Sequence, residues 1–138
     1  MNTFYQELYS QKKRADTPYQ MKCAVRDIAV IELLFATGLR ISELCGLKRE
    51  AVNLCEGEVR IHGKGDKERI LQLTEKITID SLREYETLFK AQIRESEHFF
   101  LNKYGHPLSD QSVRDMIKRL TCAASISMHI TPHMFRHS

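Results

Sequence analysis

The chain has 138 residues, of which 42% are hydrophobic and 28% are charged, a balance typical of one folded soluble domain. Lys and Arg exceed Asp and Glu by 21 to 18, and the resulting net charge of +3 allows a nucleic-acid partner but is too small for a DNA-coating protein. The four cysteines form no C-x-x-C pair, which disfavours a zinc ribbon and a disulfide scaffold. No apolar run reaches membrane-spanning length, which disfavours export and membrane insertion. We expect a cytoplasmic protein with reduced, mostly buried thiols.

The first third of the chain predicts three helices. Apolar residues at helical spacing indicate a short helix over residues 3–13. A nearly continuous apolar stripe over residues 19–36 is typical of a central, buried helix, and Gly38 provides its stop. The segment ISELCGL resumes the helical pattern with Glu43 in its first turn, where the helix dipole favours an acid. Two helices should therefore meet at a sharp corner around Arg40.

The middle of the chain changes to a period of two. Residues 52–54, 58–62 and 69–73 alternate apolar and polar side chains, as strands with one wet face do. This pattern predicts a small three-stranded antiparallel sheet. Its second hairpin turns through GKGDKE at residues 63–68, where two glycines permit positive φ and hold Lys64 on a projecting loop.

The last part of the chain returns to helices. An amphipathic pattern predicts one helix over residues 77–93, Ser109 can cap another, and Thr131 and Pro132 stand at the start of a final one. The fold class is therefore α+β, a mainly helical domain with a small three-stranded antiparallel sheet. Three aromatic residues are expected to pack in the core rather than to stack on bases: Phe99, Phe100 and Tyr104.

Four features carry reactive side chains, and each has an ordinary explanation when taken alone. Arg40 with Glu43 fits an exposed i,i+3 pair, Lys64 fits a polar hairpin tip, and His133 with Arg136 fits an exposed helix face. Their combination is more specific. The segments ATGLRISELCGL, HGKGDKERILQL and ITPHMFRHS, in this order, resemble the catalytic segments of the tyrosine recombinase (phage integrase) family. The resemblance spans essentially the whole chain.

The resemblance implies that DNA is cleaved by a tyrosine hydroxyl through a 3′-phosphotyrosine intermediate, with no cofactor. It assigns Arg40 and Arg136 to a clamp on the phosphate, because a guanidinium is always charged and matches two phosphate oxygens. Lys64 would protonate the departing 5′ oxygen as a general acid. His133 would donate to a phosphate oxygen or shuttle a proton, and Glu43 would orient Arg40 without touching DNA.

Basic side chains around the hairpin are candidates for contacts with DNA phosphates. They are Arg60, Lys67 and Arg69, and with Lys64 they outnumber two acids in the same stretch, a local charge of about +2 that could help seat the DNA backbone. Lys67 and Arg69 are also rivals of Lys64 as the general acid. Lys67 lacks the flanking glycines, however, and Arg69 begins a strand.

Three histidines spaced by four residues, His129, His133 and His137, raise the alternative of a metal site. Pro132 argues against a continuous helix reaching back to His129. The segment has no H-E-x-x-H motif and no clear third ligand, so we expect no metal there.

The chain departs from the family where the nucleophile is concerned. In the family the reactive tyrosine follows the His-x-x-Arg motif, whereas all five tyrosines of this chain precede Arg136. We therefore expect residues 1–138 to be a single catalytic domain that is C-terminally incomplete, lacks the N-terminal core-binding domain and does not cleave DNA unaided.

For the parent protein, the resemblance implies site-specific DNA recombination or integration. Its partners would be double-stranded DNA and further recombinase protomers in a synaptic complex, with no membrane. The alternatives are a catalytically inert DNA-binding module, a decayed recombinase fragment, or a small metal-binding or structural domain. If the family reading holds, Arg40, Lys64, His133 and Arg136 should converge on one basic concave face.

Overall fold

A computed structural model describes residues 2–62 and 67–128 of the protein. The elements follow in the order α1 (Asn2–Lys13), α2 (Pro18–Thr37), α3 (Ile41–Cys45), a 3-10 turn (Arg49–Ala51), β1 (Val52–Asn53), β2 (Glu58–His62), β3 (Glu68–Gln72), α4 (Lys76–Leu88), α5 (Lys90–Glu95) and α6 (Asp110–Met128). This mainly helical arrangement with one small sheet confirms the predicted α+β fold class. None of the helices in the described ranges combines the length and the apolar character that crossing a lipid bilayer requires.

Helix α2 forms the centre of the helical core, because its apolar stripe is nearly continuous and most of its second half is buried. It packs against α1 and α4, and α1 packs in turn against α6. Thr17 caps its start by accepting a 3.1 Å hydrogen bond from the Gln20 N–H. At its other end Gly38 adopts a φ of 70° and donates its N–H to the Leu34 carbonyl at 2.8 Å. The predicted helix and its glycine stop are both confirmed.

The three strands pair antiparallel in the order β1-β2-β3, as the alternating pattern predicts. Val59 and Ile61 of β2 are 0% and 2% exposed and turn one face of the sheet toward the core. Strand β3 lies at the edge of the sheet, and its first three residues are all exposed. The part of the hairpin near its turn is therefore held to the domain mainly through β2.

The predicted helix over residues 77–93 is two helices, α4 and α5, because the chain leaves helical geometry at Phe89 (φ −105°, ψ 14°). Tyr85, Phe89 and Ile93 are all buried at a spacing of four. The apolar periodicity therefore continues across the break, and periodicity alone could not reveal it. The Phe89 ring stacks on the Tyr85 ring at a centroid distance of 4.6 Å, which fits its burial at the junction.

The aromatic prediction is confirmed at two positions and wrong at the third. Phe99 and Phe100 are 1% and 0% exposed and both contact the Tyr85 ring. Tyr104 is 72% exposed. Tyr104 lies in a turn that the Asn102 side chain closes, because Asn102 Oδ1 accepts the Tyr104 N–H at 2.8 Å. Lys103 and His106 beside it are exposed too, so the Tyr104 ring lies at the surface of the described residues and outside their core.

The expectation of mostly buried thiols is wrong. All four cysteines are free, but only Cys45 is buried, Cys23 is partly buried, and Cys55 and Cys122 are exposed. Cys55 lies in the turn between β1 and β2, and Cys122 lies on the outer face of α6. Burial, together with the neighbouring Asp110 carboxylate, raises the pKa of the Cys45 thiol to about 12.

Candidate active site

Arg40 stands at the corner between α2 and α3, as the sequence predicts. It is the N-cap residue of α3, with an extended backbone (φ −74°, ψ 149°) and an exposed side chain. Leu39 and Leu44, on either side of it, are 4% and 0% exposed and anchor the corner in the core. Within residues 2–62 and 67–128 the Arg40 guanidinium forms no hydrogen bond or ion pair. The corner therefore fixes the main chain of Arg40, while its charged group is exposed and is not hydrogen-bonded by any described residue.

Glu43 holds that corner through the main chain of Arg40. Its Oε1 atom accepts the Arg40 N–H at 3.1 Å, which is the glutamate half of a capping box. Arginine has no acceptor atom, so the reciprocal half of the box cannot form. The Glu43 carboxylate thus holds the backbone of Arg40 directly, while the Arg40 guanidinium acts on it only through its charge and forms no hydrogen bond to it.

The Glu43 carboxylate also contacts Arg69 on β3. Arg69 Nη1 lies 3.4 Å from Glu43 Oε2, and Arg69 Nη2 lies 3.4 Å from Glu43 Oε1, a two-pronged arrangement. The pKa of Glu43 is held below its usual value, first by the main-chain hydrogen bond from Arg40 and then by Arg69, against the opposing effect of partial burial. Sequence patterns gave no sign of this pair, because its members lie 26 residues apart in different elements.

The three predicted phosphate contacts have different surroundings. Arg60 is exposed on β2, where it pairs across the sheet with Ile70, and Lys67 is exposed just before β3. Neither side chain forms an ion pair with another described residue. Arg69, in contrast, is engaged with Glu43. The contacts of all three with DNA stay predictions.

A cavity of about 370 Å³ opens between α3 and β2, next to the Glu43 carboxylate. Its described lining carries both signs of charge, since it includes Lys48 and Arg60 together with three glutamates. The lining residues are Ser42, Glu43, Gly46, Leu47, Lys48, Glu50, Ala51, Arg60, Ile61, His62 and Glu68. This part of the surface is therefore concave and polar rather than uniformly basic.

The remaining predicted site residues lie outside the described residues: Lys64, His133 and Arg136, together with His129 and His137 of the metal alternative. The structure thus brings together Arg40, Glu43 and Arg69. The convergence of the two arginines of the clamp with Lys64 and His133 stays a prediction.

The sequence of this chain is similar to known protein sequences over most of its length. The model of the phage integrase family matches residues 5–138. A tyrosine recombinase of Agathobacter rectalis is 52% identical over 131 residues, which cover 95% of this chain and 43% of that protein. Tyrosine recombinase XerD of Staphylococcus aureus is 46% identical over 116 residues, which cover 82% of this chain and 39% of XerD.

Solved structures show the same fold. The XerH site-specific recombinase bound to difH substrate superposes with a TM-score of 0.72 at 25% identity, over 99% of this chain and 39% of XerH. A lambda integrase tetramer bound to a Holliday junction superposes with a TM-score of 0.58 at 16% identity, over 87% of this chain and 33% of that chain, a likeness of fold alone. The chain spans less than half the length of these relatives. With its helix corner, hairpin and matching family model, the chain belongs to the phage integrase family of tyrosine recombinases and forms part of their catalytic domain.

Proposed function

We propose that the protein containing this chain carries out site-specific DNA recombination through a 3′-phosphotyrosine intermediate. The observation that carries the proposal is the state of Arg40, whose main chain is fixed by Glu43 while its guanidinium is exposed and unpaired among the described residues. A guanidinium held in this way suits two oxygens of a phosphate. The 52% identity to a tyrosine recombinase supports the same reading.

In the proposed reaction, a tyrosine oxygen of the parent protein forms a bond to a DNA phosphorus, and the bond from phosphorus to the 5′ oxygen breaks. Arg40 and Arg136 stabilise the negative charge that builds on the non-bridging oxygens, an effect worth about 2–4 kcal/mol for each well-placed donor. Lys64 gives a proton to the departing 5′ oxygen. The tyrosine hydroxyl loses its proton as the new bond forms, and His133 either donates to a phosphate oxygen or shuttles that proton.

We further propose that the substrate is double-stranded DNA, held in a complex with other recombinase protomers. Arg60 and Lys67 support this, because both are exposed next to the hairpin and pair with no described acid. Charges of this kind bind the DNA backbone without reading its sequence. The solved XerH and lambda integrase structures contain DNA, and the latter is a tetramer.

A chimera tests the proposal directly. The 131 residues of the Agathobacter rectalis recombinase that match this chain are replaced by the corresponding residues of this chain, so that the relative supplies the rest of the protein. The substrate is a duplex carrying that relative's recombination site with a nick that traps the covalent intermediate. We expect a protein–DNA adduct that survives denaturation, and a loss of roughly 10²–10³-fold in its rate of formation with Arg40→Ala.

The control is Arg14→Gln, which removes an exposed arginine just after the end of α1 whose ion-pair partner is Glu7. This variant should form adduct at the rate of the parent chimera. A chimera that binds duplex DNA in a salt-dependent way but forms no adduct would support the inert DNA-binding module instead. Unchanged adduct formation with Arg40→Ala would remove the phosphate clamp from the proposal.

A further inference from the structure

We propose that Arg69 is a positioning residue for this reaction, which ties β3 to the helix corner of Arg40 through the carboxylate of Glu43. Strand β3 follows directly on the turn that carries Lys64 in the sequence. The tie would therefore hold the strand that follows Lys64 in the sequence against the corner that carries Arg40. This inference rests on the proposed function and adds a residue to its machinery.

The link is a chain of three groups. The Arg40 N–H donates to Glu43 Oε1 at 3.1 Å, and the same carboxylate receives both terminal nitrogens of Arg69 at 3.4 Å. Glu43 is therefore shared between the start of α3 and the edge of the sheet. Its side chain is only 19% exposed, which limits the competition from water for its oxygens.

The need for such a link follows from the position of β3. Among the described residues the strand pairs with β2 alone, and Glu68, Arg69 and Ile70 are all exposed. Strand β2 has an apolar anchor near the turn, since Ile61 is 2% exposed. Arg69 is the cross-strand partner of Ile61 and lies on the same face of the sheet, at its rim. Its ion pair gives β3 an attachment where apolar burial gives none.

The surroundings of Arg69 favour positioning over direct contact with DNA. Both terminal nitrogens of its guanidinium face Glu43, and a phosphate approaching them would meet the charge of that carboxylate. Arg60, whose guanidinium has no described acidic partner, is better placed for a phosphate. Of the two arginines, Arg69 is therefore the one that joins β3 to the corner of Arg40.

The first experiment uses the 138-residue chain itself and measures amide hydrogen exchange of β3 and of Arg40. Arg69→Gln should speed exchange of the β3 amides near the turn by about 1.5- to 5-fold, the range that a partly exposed ion pair supports. Glu43→Gln keeps an oxygen for the Arg40 N–H but loses the charge, and should have a similar effect on β3. Because both changes break one link, the double variant should be no worse than either single variant.

The matched control is again Arg14→Gln. The side chains of Arg14 and Glu7 are 62% and 24% exposed, close to the 53% and 19% of Arg69 and Glu43. This pair is local, however, because Glu7 lies in α1 and Arg14 directly follows the end of that helix. Its loss should leave the exchange of β3 unchanged. Unchanged β3 exchange in Arg69→Gln, or effects of Arg69→Gln and Glu43→Gln that simply add, would overturn the proposed tie.

The second experiment uses the chimera at saturating DNA. Arg69→Gln should slow adduct formation by about tenfold or more, since small displacements of catalytic groups are costly, while DNA affinity and its salt dependence stay the same. Arg69→Lys, which keeps the charge but not the fork, should recover part of the rate. A loss of affinity with an unchanged rate at saturation would make Arg69 a phosphate contact and overturn the inference.

The two readouts separate the inference from the function on which it rests. If the unaltered chimera forms no adduct, the proposed function fails, and with it the role of Arg69 in catalysis. The exchange measurement still decides whether Glu43 joins β3 to the Arg40 corner. If the chimera is active and only the Arg69 results are negative, the proposed function stands and the positioning role fails.

Discussion

The hydroxyl of Tyr85 donates a 2.7 Å hydrogen bond to the main-chain carbonyl of Phe99, 14 residues further along the chain. The same hydroxyl accepts the Leu101 N–H at 2.9 Å, and all three residues are buried. Tyr85→Phe keeps the packed ring but leaves this buried carbonyl and this N–H without their partner. We expect the free energy of unfolding in urea to fall by about 1–3 kcal/mol. Tyr104→Phe, at a ring that is 72% exposed, should change it by less than about 0.5 kcal/mol.

Gly38 allows a sharper test of the helix corner. Its φ of 70° is unfavourable for residues with a Cβ, yet an added Cβ would meet no atom within 4 Å. The cost of Gly38→Ala should therefore be one of backbone conformation alone, about 1–2 kcal/mol in urea denaturation. Gly38→Asn should cost less, because asparagine tolerates the left-handed region. Equal costs for the two substitutions would mean that the backbone conformation of this residue is not the reason for the glycine.

Asp27 predicts a pH dependence of stability. It is 4% exposed. Its Oδ1 atom lies 3.1 Å from Arg26 Nη2, and its Oδ2 atom lies 3.4 Å from Arg119 Nη2. Burial raises its pKa above the ordinary 3.8, and the two arginines oppose that rise without cancelling it. The native state therefore binds the proton more tightly than the unfolded state does. The stability that follows is fully present below the unfolded-state pKa and is lost as pH rises through the raised value.

The measurement is urea denaturation of the wild type and of Asp27→Asn at a series of pH values. Relative to Asp27→Asn, the wild type should lose stability as pH rises from the unfolded-state pKa through the raised folded-state pKa. Arg119→Gln removes one of the opposing charges and should carry that decline to higher pH. A wild type that instead gains stability relative to Asp27→Asn over this range would contradict the assigned direction of the shift.

The phosphate clamp predicts that arginine cannot be replaced by lysine at position 40. An ammonium keeps the charge but presents one point instead of a planar fork, so in the chimera Arg40→Lys should lose most of the adduct-forming rate that Arg40→Ala loses. Both variants keep the main-chain N–H that Glu43 accepts. Their urea denaturation midpoints should accordingly stay close to that of the parent chimera. A wild-type rate with Arg40→Lys would show that charge alone is required.

Most helices, the strands and two of the helix ends could be predicted, because neighbouring residues along the chain specify them. Apolar spacing identified the helices and strands, Gly38 marked the end of α2, and Ser109 caps α6 by accepting the Ser112 N–H at 3.1 Å. The break at Phe89 was not predictable, because buried residues continue at a spacing of four across it. The exposure of Tyr104 and of two cysteines also escaped prediction, since it depends on which surface the rest of the chain covers.

For the candidate site, the order of residues along the chain was enough to identify the reactive residue types and, through them, the family. A motif such as R-I-S-E shows that an arginine precedes a helix whose third residue is glutamate, and local capping chemistry then places the Glu43 carboxylate at the Arg40 N–H. The contact of the same carboxylate with Arg69, and that of Asp27 with Arg119, 92 residues away, became visible in the folded chain alone. Such pairs depend on how separate elements pack, and no periodicity along the chain encodes the distance between two elements.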